Sequence, residues 1–128
     1  MIPDRVASPD SLEFSLIWMK ALHALKLCDV APRYLAVQDG MVADELPWLS
    51  IDGIFVGGTL EWKERYMAYW CHEAHHRNKP CHVGRVGTAR RIRLARDAGA
   101  DSIDSCLPLW SNDNARRFFD ELAQETMW

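Results

Sequence analysis

The sequence predicts an α/β protein whose sheet has four to five parallel strands. Short apolar runs rich in β-branched residues alternate with longer stretches of helical periodicity, which is the pattern of successive βα units. Apolar residues make up 48% and charged residues 26% of the 128 residues, as in an ordinary globular domain. We therefore expect one domain over residues 1–128. A closed (β/α)8 barrel needs about 250 residues, so these units predict either a small open sheet or about half of a barrel.

The first predicted helix has both a cap and a periodic apolar face. Ser8 and Pro9 are typical of an N-cap and of the first helical position. Apolar side chains then recur at helical spacing from Leu12 onward. Together these features predict a helix over residues 9–27 that follows the end of a strand within residues 1–6.

The rest of the chain repeats the alternation of strands and helices. Thr88 is a predicted N-cap, and Gly99 is typical of the residue that follows the end of a helix. The predicted strands are residues 34–37, 51–56, 82–86 and 102–103, and the predicted helices are residues 60–78, 88–98 and a last helix capped by Ser111 or Asn112.

Polar residues and glycines gather at the C-terminal ends of the predicted strands. Ligands of parallel α/β proteins bind at these ends, so the pattern predicts a single binding site on one side of the sheet. The alternative is that turns after strands simply need such residues. The residues concerned are Asp4, Gln38, Asp39, Gly40, Gly57, Gly58, Arg85, Gly87 and Asp104.

Asp104 is the carboxylate that we expect to point into this site. Asp101 and Asp104 flank a short predicted strand and are three residues apart, so their side chains should lie on opposite faces. Asp104 is the one nearer the C-terminal end of the strand. A carboxylate there can act as a nucleophile, as a base or as a cation ligand, and the alternative is a helix cap or a turn.

Two glycine-containing turns are placed to contact a ligand through the backbone. Gly57-Gly58-Thr59 and Gly84-Arg85-Val86-Gly87-Thr88 each follow an apolar strand and open a helix. Because glycine has no side chain, its backbone N–H group can approach a ligand closely, and a helix N-terminus favours negative charge. Neither turn matches the P-loop or the complete dinucleotide-binding fingerprint.

A local cluster of arginines is the predicted contact for nucleic-acid phosphates. The net charge of −3 argues against a globally basic nucleic-acid binder, but not against a local patch. We expect phosphate contacts at Arg85, Arg90 and Arg93, and a solvated helix face is the alternative.

No metal, cofactor or membrane segment is expected. His72-Glu73-Ala74-His75-His76 formally matches the H-E-x-x-H zinc motif, but no third ligand is evident downstream, so a solvent-facing histidine cluster is predicted. The cysteines form no Cys-x-x-Cys pair and are predicted to be free thiols. Because neither a signal peptide nor a run of about 18 apolar residues is found, we expect a cytoplasmic protein.

Four short segments carry a recognisable order of motifs. They are Met1-Ile2-Pro3-Asp4, Leu35-Ala36-Val37-Gln38-Asp39-Gly40, Asp52-Gly53-Ile54-Phe55-Val56-Gly57-Gly58, and Val86-Gly87-Thr88 leading into residues 99–108. In order and approximate spacing they resemble the tRNA-guanine transglycosylase superfamily, and most of all its phage-type DNA 7-deazaguanine transglycosylase branch.

Members of this superfamily are (β/α)8 barrels that exchange a guanine in nucleic acid for a 7-deazaguanine base through a covalent glycosyl–aspartate intermediate. The resemblance therefore implies DNA or tRNA and a guanine or 7-deazaguanine base as partners, and no cofactor is expected because the family's zinc site has no counterpart in this chain. Asp104 falls at the place of the nucleophile that captures C1′ of the ribose. The implied base-binding residues are Asp4, which accepts from the N–H groups of guanine, either Gln38 or Asp39, and the backbone of Gly57 and Gly58.

The resemblance covers the C-terminal half of the family's barrel. The family's first strands, with the aspartate proposed as general base, and its zinc site of three cysteines and a histidine have no counterpart in this sequence. The resemblance therefore implies a partial (β/α)8 TIM barrel, completed by a second copy in a homodimer or by another chain that supplies the N-terminal half. A non-catalytic half-barrel interaction module and an unrelated small α/β phosphate-binding protein are the alternatives.

Overall fold

The strands of the sheet all run parallel and pair in the order in which they occur along the chain. The computed structural model describes residues 6–7, 12–24, 31–105 and 112–124. The strands are β1 (Val6–Ala7), β2 (Arg33–Val37), β3 (Gly53–Val56), β4 (Cys81–Val83) and β5 (Ser102–Ile103), and the helices are α1 (Leu12–Ala24), α2 (Leu60–His76), α3 (Ala89–Ala98) and α4 (Asn112–Leu122). The predicted parallel sheet with intervening helices is confirmed, with five strands in the described residues.

One face of the sheet packs against the helices. Right-handed crossovers between strands that pair in chain order place the connecting helices on the same side. Alternate strand residues point to that side and share one apolar core with the helices. The core includes Leu35, Val37, Ile54, Val56, Cys81 and Val83 from the strands, and Met19, Met67, Trp70, Ile92 and Ala95 from α1, α2 and α3; the partly buried Leu122 of α4 packs against it.

The opposite face of the sheet carries a row of mixed polarity. The register pairs Ala36 with Phe55, Phe55 with His82, and His82 with Ser102, so these four side chains lie side by side across β2 to β5. Parallel sheets are normally covered on both faces. The described helices cover the other face, so this row lies on the face that points away from them.

Side-chain caps fix the starts of α2 and α3. Thr59 Oγ1 accepts from the backbone N–H of Trp62 at 3.3 Å, and Thr88 Oγ1 accepts from that of Arg91 at 3.2 Å. Gly99 ends α3 with a left-handed φ of 92°. The predicted roles of Thr88 and Gly99 are confirmed. None of the described helices combines the length with the apolar run that a membrane span requires.

α2 and β4 end earlier than predicted. α2 ends at His76 rather than at residue 78, because Asn78 adopts a left-handed φ of 59°. β4 ends at Val83 rather than at residue 86, because Arg85 has a φ of 54° and cannot continue the ladder. The features predicted at residues 1–5, 8–11, 25–27 and 111 lie outside the described residues.

The connection between β2 and β3 contains two short 3₁₀ helices instead of an α-helix. They span Ala43–Glu45 and Trp48–Ser50, and the second delays the start of β3 relative to the prediction. Trp48 Nε1 donates to the carbonyl of Ala43 at 2.7 Å, and the Arg77 guanidinium lies 4.5 Å from the centre of the Trp48 ring. These contacts anchor the connection to the end of α2.

Two buried thiols join α2 to β4. Cys71 and Cys81 are free cysteines, both fully buried, and their Sγ atoms lie 2.9 Å apart. The hydrogen bond from Cys71, together with burial, raises the pKa of the Cys81 thiol. Cys81 therefore stays protonated at neutral pH and packs as a small apolar side chain. Cys28 and Cys106 lie outside the described residues.

Replacing Leu35 with alanine is expected to destabilise the fold by about 2–5 kcal/mol, because this wholly buried side chain leaves a cavity. Leu49→Ala makes the same chemical change at a fully exposed position, so it should change the free energy of unfolding by less than about 0.5 kcal/mol. Denaturant unfolding of both variants measures the difference. Similar losses from both would contradict the placement of Leu35 in the core.

Candidate functional site

A cleft of about 540 Å³ opens at the C-terminal ends of β2, β3 and β4, where ligands of parallel α/β proteins bind. It brings together Gln38, Gly57, Gly58 and Arg85, which the sequence placed at strand ends. Asp104 lies beside it, with Oδ2 3.6 Å from the place that a Cβ on residue 84 would take. The other residues that line the cleft are Phe55, Thr59, Leu60, Lys63 and Gly84.

Backbone hydrogen bonds draw the ends of β3, β4 and β5 together below the cleft. Gly84 N–H donates to the carbonyl of Val56 at 3.1 Å, and Asp104 N–H donates to that of Val83 at 3.4 Å. A Cβ on residue 84 would lie 2.6 Å from Phe55 Cε1, so a side chain there has no room. Glycine therefore permits the close approach of the backbone to the Phe55 ring.

Asp104 is held by two hydrogen bonds. Its Oδ2 lies 2.7 Å from His82 Nε2, and its Oδ1 accepts from the backbone N–H of Arg85 at 3.1 Å. His82 is buried, and its Nδ1 lies 2.7 Å from Ser102 Oγ. The ring of His82 also packs against Phe55, with 4.8 Å between ring centres. Both oxygens of a half-exposed carboxylate are thus fixed in direction.

The surroundings of Asp104 keep its carboxyl group ionised at neutral pH. The hydrogen bond from His82 is the largest influence, and it lowers the pKa of Asp104 below its usual value. The N–H of Arg85 and the positive charge of Lys63 act in the same direction, while partial burial opposes them. An ionised carboxylate accepts from Nε2–H, which fixes His82 as the donor in this pair.

Lys63 is a functional candidate that the sequence did not single out. It is 2% exposed, lines the cleft, and donates from its ammonium group to the carbonyl of Gly84. Burial, and after it the positive charge of Arg85, lower the pKa of Lys63 to about 8, while the negative charge of Asp104 opposes the shift. One signal was present in the sequence, since Lys63 follows Thr59 by one helical turn and shares its face of α2.

Arg85 spans the cleft from β4 to β3. Its Nη2 donates to the carbonyl of Gly58 at 3.3 Å. Its φ of 54° is in the left-handed region, which costs a residue other than glycine about 1 kcal/mol or more. Gly58 has a φ of 76°, and a Cβ there would lie 2.7 Å from the Trp62 ring. At both turns the backbone itself therefore lines the cleft.

The alternation of side chains along β5 separates the two candidate aspartates, as the sequence predicted. Asp101 Oδ2 lies 2.7 Å from His75 Nε2 on α2 and accepts from the Cys81 N–H at the same distance. Asp101 thus ties β5 to β4 and α2, and Asp104 is the carboxylate beside the cleft.

Gln38 and Asp39 occupy different surroundings. Gln38 lines the cleft, whereas Asp39 lines a neighbouring groove with Trp62 and Tyr66, whose ring centres are 5.7 Å apart. Of the two positions that the sequence left open for base recognition, Gln38 is therefore the one in contact with the cleft. Asp4 lies outside the described residues.

Two of the arginines expected to contact phosphate are engaged in ion pairs on α3. Arg90 Nη1 lies 2.7 Å from Glu64 Oε1 on α2, and Arg93 Nη1 lies 3.1 Å from Oε2 of the buried Glu121 on α4. These pairs connect α3 to its neighbouring helices. Of the three predicted phosphate contacts, Arg85 alone lines the cleft.

The histidine motif lies on the solvent-facing side of α2, as predicted. His72 and His76 are both exposed, and their rings stack with 6.3 Å between centres. Within the described part of the chain, no three His, Cys, Asp or Glu side chains are grouped so as to hold a metal ion.

No protein-family model matches the chain, and no curated protein matches it either.

Replacing His82 with phenylalanine is expected to raise the pKa of Asp104 toward its ordinary value of 3.8, because the main hydrogen bond to the carboxylate is removed. The side-chain carboxyl resonance of Asp104, followed by NMR through an acid titration, measures the change. His76→Phe alters an exposed histidine on α2 and should leave this titration as it is. An unchanged midpoint in His82→Phe would refute the role given to His82.

The same interaction is expected to make stability depend on pH below about 4. The pKa of Asp104 is lower in the folded chain than the 3.8 of the unfolded one, so its contribution is complete above that value. The contribution is lost as the pH falls through the folded-state pKa. His82→Phe should therefore lose less stability on acidification than the parent chain, as measured by denaturant unfolding at several pH values. Equal losses would contradict the coupling.

Proposed function

We propose that the chain is a transglycosylase-like half barrel that exchanges guanine for a 7-deazaguanine base in DNA or tRNA. The observation that carries this proposal is Asp104, an ionised and half-exposed carboxylate held by His82 and by the N–H of Arg85 beside a ligand-sized cleft. The four motifs that resemble the tRNA-guanine transglycosylases give the proposal its substrate class.

Asp104 acts as the nucleophile in this mechanism. One carboxylate oxygen attacks C1′ of the pentose, the glycosidic C–N bond breaks, and the departing base keeps the bonding electrons and takes up a proton. The ring nitrogen of the incoming base then loses its proton, attacks C1′ and releases the carboxylate. The hydrogen bonds of 2.7 and 3.1 Å orient Asp104 before reaction, so little reorganisation is needed.

The departing and incoming bases occupy the cleft in turn. Gln38 offers both a carbonyl and an amide, so it suits the mixed donors and acceptors of a guanine. The backbone at Gly57 and Gly58 approaches the base without intervening side chains. From the resemblance, Asp4 accepts from the N–H groups of guanine, and Asp39 remains the alternative to Gln38.

The sheet is proposed to be part of a (β/α)8 TIM barrel. Three features support this: strands that pair in chain order, helices that share one side, and a cleft at the C-terminal ends of the strands. The row from Ala36 to Ser102 then faces the inside of the barrel. A second copy or another chain supplies the missing wall.

Nucleic acid is the proposed macromolecular partner. Arg85 contacts phosphate near the cleft, while Arg90 and Arg93 do so by exchanging their carboxylate partners for phosphate oxygens. The free thiols of Cys71 and Cys81 are in keeping with the cytoplasm, where thiols stay reduced.

A small α/β phosphate-binding protein is the second candidate. It is favoured by the presence of Lys63 and Arg85 at the N-terminal end of α2, where positive charge favours an oxyanion. The two functions differ in what Asp104 does, because a binding protein does not need its carboxylate as a nucleophile.

Replacing Asp104 with asparagine is expected to reduce base exchange by more than about 10³-fold, since the covalent intermediate cannot form. Incorporation of labelled guanine into DNA and, separately, into tRNA measures the rate. Asp97→Asn removes an exposed carboxylate of α3 and should retain exchange.

Mass spectrometry of the chain trapped with its nucleic acid locates the intermediate. The expected adduct is on Asp104. An adduct on any other residue, or full exchange by Asp104→Asn, would refute the mechanism. If neither Asp104→Asn nor Asp97→Asn exchanges the base but both bind phosphate, the second candidate is favoured.

Self-association, or association with a chain that supplies the other half, is expected from a parallel sheet with helices on one side. Sedimentation equilibrium over a range of concentrations measures the mass of the purified chain. A monodisperse monomer of 14.7 kDa that unfolds cooperatively at all concentrations would contradict the half-barrel proposal.

A further inference from the structure

Lys63 is a buried cation whose hydrogen-bonding capacity is only partly used. Its ammonium group has three donors, and the carbonyl of Gly84 is its acceptor among the described residues. Lys63 is 2% exposed, so water reaches it poorly. Buried donors without acceptors are costly. Because Lys63 lines the cleft, a ligand there can supply a further acceptor to this group.

Arg85 brings a second positive charge to the same cleft. Its guanidinium donates a hydrogen bond to the carbonyl of Gly58, on the side of the cleft that the end of β3 forms. Asp104 is the nearby carboxylate, and its two oxygens are already engaged by His82 and the Arg85 N–H. The lining of the cleft contains Lys63 and Arg85 as its charged residues, and both are cations.

A base held in the cleft lies against these two cations. Guanine carries its acceptors O6 and N7 along one edge. In a 7-deazaguanine, the substituent on carbon 7 projects from that same edge. A base whose acceptor edge faces Lys63 therefore brings its substituent toward the two cations.

We propose that Lys63 and Arg85 make the cleft selective by charge, accepting 7-deazaguanines with an anionic or hydrogen-bond-accepting substituent and rejecting those with a cationic one. The inference rests on the proposed function, since it assumes that the cleft holds the exchanged base. It adds Lys63, which the reaction itself does not use, as the residue that determines specificity.

Equilibrium binding to the full chain tests the proposal with three probes. They are guanine, a 7-deazaguanine with a carboxylate on carbon 7, and one with an aminomethyl group there. The carboxylate-bearing base should bind at least about tenfold more tightly than the aminomethyl one, because Lys63 is buried and a buried charge acts strongly on a neighbouring charge. Guanine should fall between them.

Variants assign the selectivity to the two cations. Lys63→Met should remove most of the difference between the charged probes, whereas Lys63→Arg keeps the charge and should preserve the order. Arg85→Asn removes the second charge with a residue that tolerates left-handed backbone, so it remains informative where Lys63→Met fails to fold. Lys20→Met changes an exposed lysine of α1 and should bind as the parent chain does.

The outcomes separate this inference from the proposed function. Charge-selective binding without any base exchange would refute the catalytic proposal and leave the inference standing. Base exchange with equal affinity for both charged probes, or with tighter binding of the aminomethyl base, would overturn the inference alone. Absence of binding for all three probes would overturn both.

Discussion

His82 pairs with Ser102 across β4 and β5 and with Phe55 across β3 and β4, so its ring stands on the face opposite to the helices. From there it reaches Asp104 beyond the end of β5. This hydrogen bond is the largest influence on the ionisation of Asp104, and together with the N–H of Arg85 it fixes the direction of the carboxylate. A register shift of one residue would turn His82 into the apolar core and leave Asp104 without its main partner.

Charge is distributed unevenly around the fold. On α3, Arg90 and Arg93 form ion pairs with Glu64 and Glu121, and these pairs connect α3 to its neighbouring helices. At the cleft, by contrast, Lys63 and Arg85 meet backbone carbonyls. Carbonyl dipoles only partly compensate a full charge. Positive charge therefore remains available to a ligand at the cleft.

The sequence predicted the elements with strong local signals. Periodicity located the helices, Thr88 and Gly99 marked the limits of α3, and alternation placed Asp101 and Asp104 on opposite faces. The sequence placed the end of β4 too late, because no local pattern predicts the left-handed backbone of Arg85.

Properties that depend on distant partners were not predictable in this way. Lys63 shares a helix face with the cap residue Thr59, but its burial and its contact with Gly84 arise only when α2 packs on the sheet. The arginine cluster likewise looked free because Glu121 lies far away in the sequence. His82 was assigned only to a strand, although its ring holds Asp104 at the site.

The close approach of Gly84 to the Phe55 ring links two positions that are well separated along the chain. In evolutionary terms these two positions form one unit: a homologue with a side chain at position 84 must carry a smaller residue at position 55.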